Sequence, residues 1–486
     1  MNTTPIAGHR SSTTDPPVVV IGGGLAGIAA AVRLADRGAR VTLVETCKRL
    51  GGRATSFVDP TNEQLLDNCQ HVLLGCCTNL IDLYKRLGVA DCIAWHRRLY
   101  FLDGQGRLDV LEADDLPAPL HMTGSLLAFA SLTLAEKLAI ARGLFTMMRL
   151  GVAGRKQWHD RSFTDWLKAN GQPVRAVEKF WSVIIISAVN ELPQYVAADY
   201  AMQIFTEGFL ANEQAYVMGV PNVPLVNLYD SARQVIEAAG GTVLLATSAE
   251  RLSLDGDQVR TLHIDGGRQL TAEGFVSALP FDRLDKLCPP EARQIDPRLR
   301  QLGAFEVSPI IGIHLWFDRP VMKLPHLILT QSPLQWLFNK DCAAALSGDT
   351  GEQGGKGQHL HGVISAAHHL VDKPAAEIAD MAAAETRRAL PAAKGARIVQ
   401  HRVIKEKRAT FSAQPGINAA RPDARGAITN LYLAGDWCNS GWPATMEGAV
   451  RSGYLAAAAL LDDRQVAGPT LVADLKPAAI YRFIGG

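Results

Sequence analysis

The first strongly apolar run of the chain is Val18-Val19-Val20-Ile21, which has the length and β-branched composition of a buried strand. A glycine-rich stretch, 22–27, follows at once, and the alanine-rich stretch after it predicts a helix that ends near Arg37. A second apolar run then ends at Glu45. These patterns predict a strand, a tight turn, a helix and a second strand, which is how a parallel α/β unit begins.

Farther along, the pattern alternates between helical and strand periods. Residues 80–87 and 134–150 have helical spacing. After Gly240-Gly241, short apolar runs separated by turn residues predict strands at 242–246, 249–254, 259–264, 275–279, 310–317 and 360–365. A last strand, 431–434, precedes a helix that begins near Met446. The opening α/β pattern therefore returns later in the chain, which predicts two interleaved domains.

The domain boundaries are expected where the pattern changes. One domain is expected to comprise 17–75, 215–285 and 425–464. The other is expected to comprise 76–214, which is largely helical, and 286–424. The stretch 1–16 is rich in Ser, Thr and Pro and predicts a disordered leader, 347–357 predicts a Gly-rich flexible loop, and 465–486 is expected to form a C-terminal tail.

Composition argues against several classes of protein, including those that bind nucleic acid or span a membrane. The net charge of +1 gives no sign of nucleic-acid binding. No uninterrupted apolar run approaches the ~18 residues that span a bilayer, and the leader lacks the apolar core of a signal peptide, so a cytoplasmic location is expected. The eight cysteines form no C-x-x-C pair. Together with the mixed spacing of His359, His361, His368 and His369, this predicts reduced thiols and no metal site.

Two segments at opposite ends of the chain carry the candidate chemistry. Gly22, Gly24 and Gly27 form a G-x-G-x-x-G pattern between a strand and a helix, and Glu45 ends the next strand, where an acid binds ribose in dinucleotide folds. Just after it, 49–53 adds a glycine pair flanked by arginines, which suits a pyrophosphate. In the C-terminal segment, a strand stops at Gly435-Asp436 and a helix with small residues begins soon after. Free amides at a helix start favour an anionic ligand edge.

These two segments resemble the FAD-dependent amine oxidase and phytoene desaturase superfamily. The resemblance implies a Rossmann-like FAD-binding domain of the amine-oxidase type, interleaved with an α+β substrate-binding domain, and it implies FAD as the cofactor. It places the backbone near Ala249 beside the adenine. The residues expected to contact FAD are Gly22, Gly24, Leu25, Ala26, Gly27, Glu45, Arg49, Gly52, Arg53, Ala249, Gly435, Asp436 and Met446.

Three further stretches, 67–75, 407–411 and 441–448, are similar to the squalene-associated flavoproteins, the hydroxysqualene dehydroxylases. The resemblance departs at Cys69, where a glycine is expected. It implies the reductive removal of hydroxyl from hydroxysqualene, an allylic alcohol, to give squalene for hopanoid biosynthesis. An isoprenoid lipid is then the substrate, and the enzymes that make hydroxysqualene are expected upstream partners. Hydroxide leaves poorly, so the reaction needs an acid or a donor network, a hydride from reduced FAD and a dry pocket.

Candidate catalytic residues come from these stretches. His71 is proposed as the acid or polarising donor, Trp442 as a pocket wall, and Lys407 and Arg408 as a charged pair near the flavin. Each also has an ordinary structural explanation: a histidine satisfied by backbone, a packing tryptophan, or surface charge. The residues expected to line the substrate channel are Thr445, Phe209, Trp181 and Trp336.

Rival functions remain open at this stage. A carotenoid desaturase uses the same fold and a similar lipid, and a prenyl-lipid carrier of the GDP-dissociation-inhibitor type has the fold without flavin. Thr445 counts against amine oxidation, for which an aromatic residue is expected at that position. The helix at 134–150 is basic and amphipathic, so it either lies on the inner face of the cytoplasmic membrane or caps the substrate domain.

Overall fold

The computed structural model describes residues 17–342, 357–466 and 471–485. The expected leader and all but the last residue of the loop at 347–357 lie outside the described residues. The strands are β1 Val18–Ile21, β2 Val41–Val44, β3 Ser56–Val58, β4 Leu65–Asp67, β5 Leu73–Leu74, β6 Ile93–His96, β7 Leu99–Leu102, β8 Leu108–Leu111, β9 Met218–Pro221, β10 Thr242–Leu244, β11 Ala249–Asp255, β12 Gln258–Ile264, β13 Gln269–Leu270, β14 Gly274–Ser277, β15 Val307–Phe317, β16 His326–Leu329, β17 Trp336–Asn339, β18 Gln358–Ile364, β19 Ile398–Phe411 and β20 Leu431–Leu433.

The α-helices connect these strands and cover the sheets. They are α1 Leu25–Ala35, α2 Thr78–Arg86, α3 Thr123–Ala128, α4 Leu134–Lys156, α5 Phe163–Ala169, α6 Val174–Ala176, α7 Ser182–Val189, α8 Ala198–Phe205, α9 Ser231–Ala238, α10 Phe281–Leu287, α11 Ala292–Ile295, α12 Ala375–Ala389, α13 Met446–Asp463 and α14 Ala479–Gly485. In the described part of the chain, none of the helices combines the length and the apolar character needed to cross a bilayer.

A five-stranded parallel sheet forms the first domain, in the order β10-β2-β1-β14-β20. Its strands come from three distant parts of the chain, so the interleaved α/β fold inferred from the sequence is confirmed. Helix α13 packs closely on α1 because Gly453 has no side chain: a Cβ there would lie 2.2 Å from the carbonyl oxygen of Ala26. This contact joins the C-terminal segment to the N-terminal glycine turn.

A seven-stranded sheet forms the second domain, in the order β19-β15-β18-β17-β16-β7-β8. Most neighbouring strands are antiparallel, while β16 and β7 are parallel. The strands expected at 310–317 and 360–365 are β15 and β18. Strands β6, β7 and β8 lie in the stretch whose sequence pattern predicts mostly helix, so the pattern missed them. Strands β7 and β8 pair with each other, and β7 connects them to the rest of the sheet through β16, a partner distant in the sequence.

Candidate functional site

A cavity of about 860 Å³ is lined by residues of both large sheets. At one end it touches the glycine turn after β1 and the ends of β2 and β20. At the other end it runs between apolar side chains of the second domain. The two ends meet beside a short group of polar residues, which includes Asn68 and Glu406. The cavity therefore has a cofactor end, a polar junction and an apolar end.

At the cofactor end of the cavity, two glycine-containing segments are in close contact. The Gly51 amide donates to the Gly23 carbonyl at 2.9 Å, and a Cβ on Gly52 would lie 2.9 Å from the Gly24 Cα. Gly27 approaches the first turn even more closely, because a Cβ there would lie 1.8 Å from the Gly22 carbonyl oxygen. No side chain caps the start of α1 after Gly24. Its first amides are therefore free to bind a pyrophosphate.

Glu45 lies at the end of β2 and lines this part of the cavity. Its two carboxylate oxygens accept hydrogen bonds from the Gly23 amide at 2.6 Å and the Cys47 amide at 2.7 Å. A carboxylate has about four acceptor positions. Glu45 can therefore fix the glycine turn and still accept a hydrogen bond from a ribose hydroxyl.

An ion pair joins the N-terminal and C-terminal segments of the site. Arg53 lies 2.5 Å from a carboxylate oxygen of Asp436 and also donates to the Ala409 carbonyl at 3.0 Å. Beside it, the Thr445 hydroxyl caps α13 by accepting from the Gly448 amide at 3.0 Å. Thr445 and Met446 both line the cavity. The start of α13 therefore faces the place where the two segments meet.

The polar junction is organised by Asn68, which is buried. Its side-chain nitrogen donates to the Arg53 carbonyl at 2.8 Å and to Glu406 at 3.0 Å. Its side-chain oxygen accepts from the Thr55 amide at 3.3 Å. These contacts fix the orientation of the amide and tie the carboxylate of Glu406, on β19, to the cofactor end.

His71 lies at the same junction, with Nδ1 3.1 Å from the Cys69 carbonyl oxygen. A carbonyl only accepts, so Nδ1 carries a proton and donates it to this contact. Burial lowers the pKa of His71, although the Cys69 carbonyl and the charges of Asp67 and Glu406 act in the opposite direction. His71 lines the cavity, and its role as the acid or polarising donor stays a prediction.

Aromatic and aliphatic side chains line the apolar end. The Trp336 ring stacks on Phe338 with ring centroids 5.2 Å apart, and its Nε1 donates to the Ser187 hydroxyl at 2.7 Å. Because its one polar group is satisfied by protein, the ring presents an apolar face. The other apolar lining residues include Leu74, Leu99, Phe101, Ile184, Phe209, Ile310, Ile328 and Val363.

Known proteins resemble this chain in sequence and in structure. The model of the flavin containing amine oxidoreductase family matches residues 25–461. The 15-cis-phytoene desaturase of Synechococcus elongatus is 28% identical over 461 residues, which cover 91% of this chain and 95% of that protein.

Solved structures show the same fold. An oxidoreductase from Methanosarcina mazei has a TM-score of 0.68 at 17% identity, with 92% of this chain and 100% of that chain covered. Cyclohexylamine oxidase from Brevibacterium oxydans has a TM-score of 0.65 at 19% identity, with 93% and 100% covered.

The chain belongs to the flavin-containing amine oxidoreductase family. It is an FAD-dependent oxidoreductase. The cofactor end fits FAD, because two side-chain-free turns, an uncapped helix start and a carboxylate at a strand end converge there. When bound, FAD supplies hydride transfer. The residues of this family member position the cofactor and shape the apolar space beside it.

Most of the residues predicted from the sequence meet in this cavity. The lining includes Gly22, Gly24, Leu25, Ala26, Glu45, Gly52, Arg53, Ala249, Gly435, Asp436 and Met446, and also His71, Phe209, Trp336, Trp442 and Thr445. Gly27 packs behind the turn and is not among the lining residues. Arg49 is also outside the lining, because its Nε donates to the Thr55 hydroxyl at 3.1 Å.

Three predicted site residues lie away from the cavity and are corrected. Lys407 is exposed and pairs with Asp372 at 2.7 Å, and Arg408 is exposed and pairs with Asp282 at 3.2 Å. Trp181 is completely buried in the helical core, where its Nε1 donates to a side-chain oxygen of Gln172 at 2.9 Å. The sequence pattern indicated an aromatic residue and a charged pair, but not the direction in which their side chains point.

Asn68 and Glu406 are site residues that the sequence analysis missed. Each lies inside or directly beside a stretch noted for its resemblance to the squalene-associated flavoproteins. Their pairing was not detectable, because 338 positions separate them in the chain. The sequence signal for Asn68 and Glu406 was their position inside or next to those stretches.

Proposed function

We propose that this protein transfers hydride between FAD and a long isoprenoid hydrocarbon, in a reaction of the carotenoid desaturase type. The observation that carries the proposal is the continuity of the cavity from the glycine cradle to a long apolar end. A polyene precursor has almost no polar groups, so it matches a wall of aliphatic and aromatic side chains. The names of the related desaturases support the same substrate class.

Hydride transfer from the substrate to FAD and hydride transfer in the opposite direction place the same demands on the protein. The apolar wall excludes water, so hydride is not lost to solvent and charge at the reacting carbon is not quenched. The rings of Trp336 and Phe338 can stabilise a positively charged carbon through their π faces. Arg53 and Asp436 hold the segment where the cofactor and apolar ends meet.

We also propose a second candidate, the reductive dehydroxylation of hydroxysqualene to squalene. The polar junction favours it, because Asn68, His71 and Glu406 line the cavity between its cofactor and apolar ends and could contact a hydroxyl group. The resemblance of 67–75 and 441–448 to the squalene-associated flavoproteins supports the same choice. In that case an enzyme that forms hydroxysqualene supplies the substrate. A carrier without flavin is not proposed, because the family is defined by flavin.

One pair of anaerobic experiments separates the two reactions. Oxidised holoprotein is incubated with phytoene, and pre-reduced holoprotein is incubated with hydroxysqualene. Desaturation gives flavin bleaching with new conjugated-polyene absorbance, whereas dehydroxylation gives flavin reoxidation with squalene detected by gas chromatography. Activity with neither substrate would refute both proposals.

We further propose that the protein lies on the inner face of the cytoplasmic membrane, with α4 against anionic lipid. Leu134, Leu138 and Phe145 on this helix are 65%, 61% and 45% exposed. Arg142 and Arg149 on the same helix are exposed and basic. Part of the predicted apolar face, including Met148, instead packs inward. An exposed apolar surface with basic residues fits a lipid surface, from which an isoprenoid would be extracted.

A further inference from the structure

Several carboxylates line the cavity, and most of them are held by neighbouring groups. Glu45 accepts from two backbone amides, Asp436 pairs with Arg53, Glu207 pairs with Arg155 at 2.6 Å, and Glu447 accepts from the Leu80 amide at 2.8 Å. Glu250 is exposed on β11. These carboxylates are therefore committed to structure or open to solvent.

Glu406 differs from all of them. It is partly buried, and within residues 17–342, 357–466 and 471–485 it makes one hydrogen bond, from Asn68 to Oε1, and no ion pair. Its Oε2 is left without a hydrogen-bond donor in that part of the chain. This oxygen is not sealed in the protein interior, and Glu406 lines the cavity, so a ligand in the cavity can reach it.

The position of Glu406 matches the place where chemistry must occur. On β19 it pairs with Ile310 of β15, which also lines the channel. Its partner Asn68 binds the backbone of Arg53 at the cofactor end. Glu406 therefore lies where a substrate in the apolar end approaches the cofactor end.

We propose that Glu406 is the catalytic residue that transfers the proton in this cavity, an inference that rests on the proposed function. In desaturation, one C–H bond of the substrate loses hydride to FAD. The neighbouring C–H bond breaks with its proton going to the carboxylate of Glu406, and its electron pair forms the C=C bond. In dehydroxylation, protonated Glu406 gives its proton to the hydroxyl oxygen. The C–O bond then breaks to release water, and hydride from reduced FAD forms the new C–H bond.

The test compares Glu406→Gln with Glu406→Asp. Glutamine has the same size and keeps an oxygen that accepts from Asn68, but it neither ionises nor transfers a proton. Because general acid–base catalysis contributes roughly 100-fold to 10,000-fold, the Gln variant should lose at least about 100-fold in the rate of flavin bleaching or reoxidation. Its FAD content, melting temperature and substrate affinity should match the wild type. The Asp variant should retain part of the rate and a pH dependence.

Lys407→Gln is the matched control, because the residue is adjacent on the strand, exposed and paired only with Asp372 among the described residues. Its rate should equal that of the wild type. A Glu406→Gln variant that keeps the wild-type rate and pH profile would overturn the proposal.

A second measurement does not depend on turnover. Ionisation of a carboxyl group close to bound flavin changes the flavin absorbance spectrum, so wild-type holoprotein should show a pH-dependent difference spectrum that Glu406→Gln lacks. If that difference is present but neither substrate reacts, the proposed function fails while the placement of Glu406 stands. If both proteins give the same spectra at every pH, the assignment of Glu406 fails.

Discussion

Gly27 leaves no room for any side chain. A Cβ at this position would lie 1.8 Å from the Gly22 carbonyl oxygen, which is backbone and cannot rotate away. Gly27→Ala should therefore push apart the turn that forms the cofactor end. We expect FAD affinity to fall at least about tenfold and the free energy of unfolding to fall by about 2 kcal/mol. Flavin fluorescence titration and urea unfolding measure the two effects.

The control for this prediction is Gly303→Ala, because a Cβ on Gly303 meets no other atom within 4 Å. This variant should bind FAD like the wild type. Unchanged FAD affinity in Gly27→Ala would show that the turn can relax without loss of the site.

His326 is a buried imidazole in an aromatic environment. It has no exposed surface, and its ring lies against those of His96, Tyr100, Trp336 and Phe338. Burial, and then the neighbouring His96, lower the pKa of His326 to about 3. The unfolded chain binds a proton near pH 6.5, where the folded chain does not. Stability therefore falls as the pH drops from about 6.5 toward 3.

His326→Phe removes this proton uptake and keeps an aromatic ring. We expect the variant to be as stable as the wild type at pH 7 and more stable by about 3 kcal/mol at pH 4.5. Urea unfolding at both pH values measures the difference. The exposed His401 provides the control, because His401→Phe should follow the pH dependence of the wild type. Equal pH dependence in His326→Phe and the wild type would contradict the prediction.

At the scale of elements, α4 has a sequence-encoded start and a solvent-exposed apolar surface. A capping box begins it: the Thr133 hydroxyl accepts from the Glu136 amide, and the Glu136 carboxylate accepts from the Thr133 amide at 2.7 Å. The local pattern was therefore sufficient to predict this helix. The sequence could not decide which apolar residues pack inward, because that depends on the elements α4 meets, including α14.

Leu138→Glu combined with Phe145→Glu tests the membrane proposal. Inserting each exposed apolar side chain contributes about 1.5–3 kcal/mol. The double variant should therefore bind vesicles of phosphatidylglycerol and phosphatidylcholine at least tenfold more weakly. Co-sedimentation at low and high salt measures binding, which should weaken with salt because Arg142 and Arg149 contribute.

Val399→Glu is the control, because Val399 is 55% exposed on β19 and lies outside the helical surface. It should bind vesicles like the wild type. No vesicle binding by the wild type at either salt concentration would rule out the membrane proposal.

At the scale of the whole molecule, bound FAD should hold together the distant chain segments that form the cofactor end. The cofactor end is built from the turn after β1, the segment around Arg53 and the segment from Gly435 to Met446. Ligand binding to the folded state stabilises it by about 2.7 kcal/mol at a free concentration of 100 times Kd. We therefore expect added FAD to raise the melting temperature of apoprotein, measured by circular dichroism.

Riboflavin, which lacks the adenylate, serves as the comparison. It should raise the melting temperature much less, because it cannot use the pyrophosphate and ribose contacts expected of the glycine turn and Glu45. An equal effect of riboflavin and FAD would contradict the assignment of the cofactor end.

By itself, the sequence determined the parallel α/β unit, the N-terminal part of the FAD site and the helix starts. Each depends on residues close together in the chain: the glycine turn is followed directly by α1, and Glu45 ends the next strand. Spacing of apolar residues and local hydrogen bonding fix such features without distant contacts.

Only the tertiary structure decided which polar groups meet at the reacting end of the cavity. Arg53 and Asp436 are 383 positions apart, and Asn68 and Glu406 are 338 positions apart. The same applies to Lys407 and Arg408, which point to solvent beside the inward Glu406, and to Trp181, which packs in the core. Side-chain direction and long-range pairing follow from how the two sheets pack, and no local pattern carries that information.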